Sequence, residues 1–144
     1  MKLSNLIKMA AVAAALTLGG SPLAGSESRS DWKAHWITPS LSQSATNTWI
    51  SYRKEFKVSE CPDRLVARIS ADSKYWMWIN GELAVFEGGL KRGPFPNGTY
   101  YDKVDIAPFL KEGDNTIAIL LWHFGKQGFS HNSSGQAALI FEAV

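Results

Sequence analysis

Carboxylate side chains are the first candidates for chemistry in this sequence. Five of them stand beside predicted turns or strand ends: Asp72, Glu82, Glu87, Asp102 and Asp105. Two carboxyl groups placed about 5–10 Å apart across a sugar ring can hydrolyse a glycosidic bond. Their spacing singles out no pair, and acidic residues beside turns usually hydrogen-bond the local backbone or water. We therefore predict no catalytic residue on this chain.

Histidine and cysteine offer other chemistry. His123 follows Trp122 at the end of a strand pattern, and His131 lies in a Gly/Ser-rich loop. A Ser/His/Asp constellation could be assembled, but no Gly-x-Ser-x-Gly motif presents a nucleophile. No His or Cys spacing is typical of zinc. The lone Cys61 cannot form an internal disulfide, and we interpret it as an incidental thiol.

Metal binding is a weaker hypothesis, and no other cofactor is expected. Asp72, Asn97 and Asp102 could supply the oxygen ligands that calcium prefers. The sequence has no dense Asp/Asn loop, so a Ca²⁺ site stays a minority alternative.

The aromatic content is the feature most suggestive of function. The chain has 6 Trp, 4 Tyr and 7 Phe, more than a small core needs. Flat aromatic faces suit the apolar faces of sugar rings, whereas sugar hydroxyls need polar groups nearby. Most aromatic side chains in such a domain are nevertheless buried. Loop residues that offer the required mixture are Trp76, Arg92, Phe95, Tyr100, Tyr101, Trp122, His123 and Phe129.

The hydrophobic pattern has a period of two residues, which is typical of strands. Strands are predicted at 49–56, 65–71, 75–79, 82–87, 100–104, 116–124 and 137–143, and a helical turn capped by Asp105 at 105–113. Asn80-Gly81 predicts a type I′ hairpin. Glycine and proline or serine make 88–99 and 125–136 loops. Seven short strands without a long helix predict an all-β fold, a β-sandwich or jelly roll.

Residues 1–26 have the three parts of a signal peptide. Lys2 and Lys8 begin it, an apolar segment follows at 9–18, and Ala24-Gly25-Ser26 suits cleavage. We therefore expect a secreted or periplasmic protein, with 27–48 as an extended arm and 49–144 as the sandwich. The apolar segment is too short for a membrane span, which needs about 20 residues. These two lysines account for the net charge of +2, so we expect neither nucleic acid nor membrane as a partner.

Five short motifs follow one another along the chain between residues 31 and 118. They are DWKAHWI at 31–37, YRKEF at 52–56, ISADSKY at 69–75, INGE at 79–82 and LKEGDNTIA at 110–118. In this order they resemble the N-terminal accessory β-sandwich of bacterial α-L-rhamnosidases, glycoside hydrolase family 78. The resemblance implies a galactose-binding-like jelly roll, sugar-binding or calcium-assisted in some relatives. The family's catalysis lies in a separate helical barrel, so no catalytic residue carries over.

The leading hypothesis is a non-catalytic carbohydrate-binding module of an α-L-rhamnosidase-like protein. Its partners would be rhamnose-containing glycans and a catalytic glycosidase domain, and loops 88–99 and 125–136 would form the binding edge. The predicted sugar contacts are Asn80, Arg92, Tyr101, Asp102, Trp122 and His123. Two alternatives stay open. The module could be a structural domain that only packs on a catalytic domain, or a glycosidase active by itself, for which we expect no turnover.

Overall fold

The structure is a computed structural model that describes residues 32–39, 45–90, 100–129 and 131–144. These residues form seven strands and one short 3-10 helix, Ala107–Phe109. The strands are β1 Thr48–Val58, β2 Val66–Ala71, β3 Lys74–Ile79, β4 Glu82–Gly89, β5 Asp102–Asp105, β6 Gly113–His123 and β7 Leu139–Ala143. In the described part of the chain, no helix is long and apolar enough to cross a membrane. The predicted signal peptide lies outside the described residues.

Two antiparallel sheets make up the fold, as the all-β prediction required. One has the strand order β1-β6-β3-β4, and the other has the order β5-β2-β7. Along β6, Ile117, Ile119 and Leu121 are buried, whereas the residues between them are half-buried. Because successive side chains of a strand point to opposite faces, this alternation turns one face of the sheet inward.

The core lies between the two sheets. Tyr75, Met77 and Ile79 of β3 are fully buried, and they share one cluster with Ile69 of β2 and Leu139 of β7. Burying a large apolar side chain of this kind contributes about 1.5–3 kcal/mol. β2 and β3 are consecutive in sequence but lie in different sheets, and β7 is distant from both, so this core fixes the arrangement of the two sheets.

The predicted hairpin joins β3 to β4. Asn80 and Gly81 have φ angles of 52° and 88°, the pair of positive values that a type I′ turn requires. The Asn80 amide Nδ2 donates to Phe109 O and to Asn115 Oδ1, each at 2.8 Å. Its Oδ1 accepts from Thr116 N at 3.0 Å. The turn is therefore fastened to the beginning of β6.

The segment 105–113 differs in detail from the predicted helical turn. Asp105 ends β5, and its Oδ1 accepts hydrogen bonds from the backbone N–H groups of Leu65 and Ala107, each at 3.1 Å. The 3-10 helix that follows begins after Ile106, which has no side-chain cap. Gly113 has the left-handed φ of +88°, but it opens β6 rather than ending a helix.

Residues 32–39 extend the three-stranded sheet beyond β7. Ile37 N donates to Leu139 O at 2.8 Å, and Leu139 N donates back to Ile37 O at 2.9 Å. Thr38 Oγ1 donates to Ala137 O at 2.8 Å. These bonds satisfy backbone groups that an open sheet edge would leave unpaired.

A buried ion pair holds the same segment on the outer face of this sheet. Glu142 Oε1 accepts from Arg68, and Glu142 Oε2 accepts from Lys33 N at 2.6 Å and Ala34 N at 2.9 Å. The Arg68 guanidinium lies 4.6 Å from the ring centroid of Trp32, a cation–π contact. Burial alone would raise the pKa of Glu142, but hydrogen bonds from Arg68, Ala34 and Lys33 and the Arg68 charge lower it overall.

Hydrogen bonds to Asp102 join the two sheets at the beginning of β5. The Tyr75 hydroxyl donates to Asp102 Oδ2 at 2.9 Å, and Gly89 N donates to the same oxygen at 3.0 Å. Burial, followed by the Asp102 charge and this hydrogen bond, raises the pKa of Tyr75 far above its ordinary value. The raised pKa favours the protonated hydroxyl, which is the form that donates to Asp102.

Candidate functional site: an aromatic face

Three indoles stand together on the outward face of the four-stranded sheet. Trp49 of β1 pairs in register with Trp122 of β6, and Trp76 lies on β3. The Trp49 and Trp122 rings stack at 4.8 Å with 9° between their planes. The Trp49 and Trp76 rings stack at 5.7 Å and 25°. We call these three residues the tryptophan platform.

Trp49 is the most exposed member of the platform. It keeps 49% of its surface accessible although it stacks on two other indoles. A ring covered on both faces would keep little more than its rim, so we infer that one face of Trp49 is open to solvent. A free indole face is the feature that an apolar sugar face or another ring can stack on.

The platform is flanked by two phenylalanines. Phe86 of β4 contacts the Trp76 ring edge-to-face at 6.5 Å and is 71% exposed. Phe124, just after β6, contacts Trp122 edge-to-face at 4.6 Å. The aromatic surface therefore crosses the sheet from β4 to β1.

Polar groups border the platform on two sides. Asn47 Oδ1 accepts from the Trp122 indole Nε1 at 2.8 Å, which fixes the orientation of that ring. Lys74, the other register partner of Trp122, pairs through Nζ with Glu87 Oε2 at 2.9 Å. Both side chains of this pair keep solvent contact, so they can hydrogen-bond hydroxyl groups of a ligand seated on the indoles.

A buried carboxylate lies directly behind the platform, at the corner between β2 and β3. Asp72 is 8% exposed. Its Oδ2 accepts from Ser134 N at 2.6 Å, Ser134 Oγ at 2.8 Å and Ser133 Oγ at 3.1 Å. Its Oδ1 accepts from Ser73 Oγ at 2.9 Å. A buried carboxylate needs such donors, because removing its charge from water is otherwise very costly.

Two histidines complete this cluster. His131 Nε2 lies 2.9 Å from Ser73 Oγ and 3.2 Å from Asp72 Oδ1. His123 Nδ1 lies 3.0 Å from the Asp72 backbone oxygen. Since a carbonyl oxygen only accepts, we infer that this Nδ1 carries the proton.

The cluster brings Asp, His and Ser together but is not a hydrolytic triad. In a triad the carboxylate and the hydroxyl meet opposite ring nitrogens of the histidine. Here Asp72 and Ser73 both face Nε2 of His131. Ser73 is also fully buried, so no substrate reaches its Oγ. The arrangement is a packed hydrogen-bond network.

The predicted sugar contacts fall into separate parts of the molecule. Trp122 belongs to the platform, as described. Asn80 lies at the opposite end of β3, and its amide is engaged in the turn. Arg92 lies outside the described residues, as does most of the predicted 88–99 loop, whose first two residues belong to β4.

The other three predicted contacts lie away from the platform's open side. Tyr101 packs edge-to-face on Trp32 at 5.4 Å, on the other sheet. Asp102 forms the link to Tyr75. His123 differs most from the expectation: its side chain is fully buried, because the alternation of β6 turns it inward where Trp122 points outward. The structure thus groups none of these three with Trp122.

The carboxylates considered for calcium face protein donors. Asp72 accepts from serine and histidine groups, and Asp102 accepts from Tyr75 and Gly89. Among the described residues, no group of three or more His, Cys, Asp or Glu side chains could hold a metal ion. Asn97 lies outside the described residues. Cys61 is exposed and free.

Sequence reasoning missed Trp49 and the Asp72 cluster. A signal for the platform was present: β3 is apolar on both faces, with Trp76 and Trp78 between the core residues. In a two-sheet fold one of these faces points away from the core, so apolar residues there indicate a binding or docking surface. The Asp72 cluster had no such signal, because 58 residues separate Ser73 from His131.

The described residues thus define an all-β domain of two antiparallel sheets with an exposed aromatic surface. No protein-family model matches the chain. No curated protein matches it either. Solved structures do: a family 78 rhamnosidase of Bacillus sp. GL1 matches with 33% identity and a TM-score of 0.69 over 78% of this chain and 12% of that one. An α-L-rhamnosidase from Dictyoglumus thermophilum matches with 20% identity and a TM-score of 0.55, over 80% of this chain and 14% of that one.

These matches confirm the resemblance to family 78 α-L-rhamnosidases. The chain spans 12% to 14% of the length of the two rhamnosidase structures, which is consistent with a small accessory domain of such enzymes. The second match, at 20% identity, shows the fold alone.

Proposed function

We propose that the chain is a non-catalytic accessory module of an α-L-rhamnosidase-like glycosidase, a galactose-binding-like jelly roll that binds carbohydrate on the tryptophan platform. The observation that carries the proposal is the exposure of Trp49, which keeps 49% of its surface accessible while it stacks on two other indoles. Exposing a large aromatic surface to water is unfavourable, and a ligand that covers it recovers the lost hydrophobic free energy. The printed names of the matched structures make rhamnose-containing glycans the first ligands to test.

The polar border supports sugar over a purely apolar ligand. Carbohydrate sites combine a flat apolar contact with a few placed hydrogen-bonding groups. The Lys74–Glu87 pair offers both a donor and an acceptor beside Trp122. Secretion, which the leader at 1–26 predicts, would place the module where such glycans occur.

Calorimetric titration of the full chain with L-rhamnose and with an aryl rhamnoside tests the proposal. We expect binding with Kd of about 1 mM, equivalent to about 4 kcal/mol. Trp49→Ala removes the open ring and should weaken binding by at least about tenfold. Trp36→Ala is the matched control, because this indole is also exposed, at 40%, but lies on the segment that covers the other sheet. Absence of heat at tens of millimolar sugar, or equal losses in both variants, would contradict the proposal.

A second candidate function, docking on a catalytic domain, has an observation of its own. Leu83 and Phe86 extend the aromatic face toward the hairpin and are 46% and 71% exposed. Together with Trp49 they leave roughly 300 Å² of apolar surface uncovered. If the face docks on a catalytic domain, Phe86→Ser should abolish association with a separately produced rhamnosidase catalytic domain. Titration of the chain with sugar should then give no heat of binding. Turnover of an aryl rhamnoside by the purified chain, which we do not expect, would instead indicate a glycosidase.

A further inference from the structure

We propose that Asp72 is a positioning residue for the tryptophan platform, acting through Ser73 on the end of β6 that carries Trp122. The inference rests on the proposed function for its biological meaning, but its structural part can be tested without any ligand.

Ser73 makes two contacts with the backbone on either side of His123. Ser73 N donates to Trp122 O at 3.2 Å. Ser73 Oγ accepts from Phe124 N at 3.1 Å. Both residues whose rings meet at this end of the platform are therefore held by one serine.

The charge of Asp72 sets the direction of these hydrogen bonds. A carboxylate only accepts, so the Ser73 hydroxyl must donate its proton to Asp72 Oδ1. Its two lone pairs then face Phe124 N and His131 Nε2, which lie 3.1 Å and 2.9 Å away. All the hydrogen-bonding capacity of Ser73 is used, which leaves a single orientation of the hydroxyl.

The same carboxylate fastens the loop beside the platform. Its Oδ2 accepts from Ser134 N and from two serine hydroxyls, so the 131–136 part of the loop is tied to the β2–β3 corner. The His131 ring contacts Phe124 edge-to-face at 5.6 Å, and Phe124 contacts Trp122. One buried anion thus fixes both the strand end and the loop that border the Trp122 ring.

Hydrogen exchange measured by NMR on the full chain tests this without a ligand. We expect Asp72→Ala and Ser73→Ala to speed exchange of the Phe124 amide and the Trp122 indole N–H by about tenfold or more, well below the unfolding temperature. Ser73→Ala keeps the test decisive if Asp72→Ala does not fold. Asp72→Asn should recover part of the protection, because its amide can rebuild the network if His131 takes the other tautomer.

Two control variants separate positioning from general destabilisation. Glu142→Gln alters the buried carboxylate of the opposite sheet, so it should lower stability and leave the Trp122 and Phe124 signals unchanged. Asp63→Asn, at an exposed site, should change neither. Unchanged Trp122 and Phe124 exchange in both Asp72→Ala and Ser73→Ala, or an equal effect of Glu142→Gln, would overturn the proposal.

Titration with the aryl rhamnoside then tests whether the positioning of Trp122 by Asp72 affects the affinity for the sugar. If the wild type binds, Asp72→Asn should weaken binding by about threefold or more, and unchanged affinity together with unchanged exchange overturns the inference. If the wild type does not bind but exchange responds as expected, the proposed function fails and the positioning role of Asp72 stands.

Discussion

The two outer faces of the sandwich differ in what covers them. The three-stranded sheet carries Arg68 and Glu142 on its outer face, and residues 32–39 cover them. The four-stranded sheet carries the tryptophan platform, and no other part of the described chain covers it. A buried ion pair needs donors around it and so requires the covering segment, whereas stacked indoles tolerate half-exposure at a smaller cost. Among the described residues, the aromatic face of the four-stranded sheet is therefore the exposed one, and it is the face on which we propose that a ligand binds.

Each sheet has a buried carboxylate nearby that accepts hydrogen bonds from a segment distant in sequence. Glu142 accepts two backbone N–H groups from the 32–39 segment, and Asp72 accepts one from the loop at Ser134. Glu142 has a cation, Arg68, as its main partner, whereas Asp72 is surrounded mainly by serine and histidine side chains. Glu142 therefore holds the covering segment 32–39 on its sheet, whereas Asp72 holds the loop that borders the exposed tryptophan platform.

Glu142→Ala should produce the largest loss in the free energy of unfolding, because it releases the segment 32–39 from the three-stranded sheet. It leaves Arg68 without its carboxylate and two backbone N–H groups without their acceptor, which costs about 3–5 kcal/mol. Urea unfolding measures the free energy. Glu55→Ala is the control, since the Arg53–Glu55 pair is exposed and worth at most about 0.5 kcal/mol. Similar losses in both variants would show that the cover contributes little.

Tyr75→Phe tests the link between the two sheets. The variant keeps the buried ring and removes the hydroxyl that donates to Asp102, whereas the hydrogen bond from Gly89 N to Asp102 is retained. A hydrogen bond to a charged group contributes about 1.5–3 kcal/mol, so we expect a loss of about 2 kcal/mol in urea unfolding. A loss below about 0.5 kcal/mol would show that the Tyr75–Asp102 hydrogen bond contributes little to holding the two sheets together.

Acidification should weaken the covered face selectively. The folded pKa of Glu142 lies below its ordinary value of 4.5, so its contribution is fully present above that value and is lost as the pH falls through the folded pKa. We expect the stability difference between wild type and Glu142→Gln to shrink as the pH falls through that interval. Unfolding curves at several pH values measure it. A constant difference from pH 7 to pH 3 would contradict the argument.

Phe86→Ser should produce the smallest change in the free energy of unfolding, which would distinguish the exposed aromatic face from the covered face of the other sheet. Its ring is 71% exposed and touches the platform only at the edge of Trp76. Replacing it should alter the unfolding free energy by less than about 0.5 kcal/mol. Thermal unfolding checks this. A loss above about 1.5 kcal/mol would mean that the open face is packed as a core and is not a ligand surface.

The fold was largely predictable because its signals are local. Period-two alternation located all seven strands, and Asn80-Gly81 located the hairpin, since a type I′ turn depends on two adjacent residues. Boundaries were less certain: β5 begins at Asp102 rather than Tyr100, and β4 continues to Gly89. Pairing with neighbouring strands, which is not a local property, sets those ends.

The site was predictable only in part, and His123 and Trp122 show why. Both were expected to contact sugar as neighbours in one segment. A strand turns successive side chains to opposite faces, so Trp122 joined the platform and His123 was buried against Asp72. The prediction placed both residues at the end of the strand 116–124 and still expected both to contact one ligand, which the alternation of a strand does not allow.

By itself, the sequence determined the all-β class and the hairpin, because alternation and turn chemistry act between near neighbours. Only the tertiary structure decided which aromatic residues meet and which carboxylates are buried. Trp49 and Trp122 are 73 positions apart in sequence and become register partners through β1–β6 pairing. Asp72 meets Ser134 across 62 positions. Contacts of that range depend on how the whole chain closes, and no short segment encodes them.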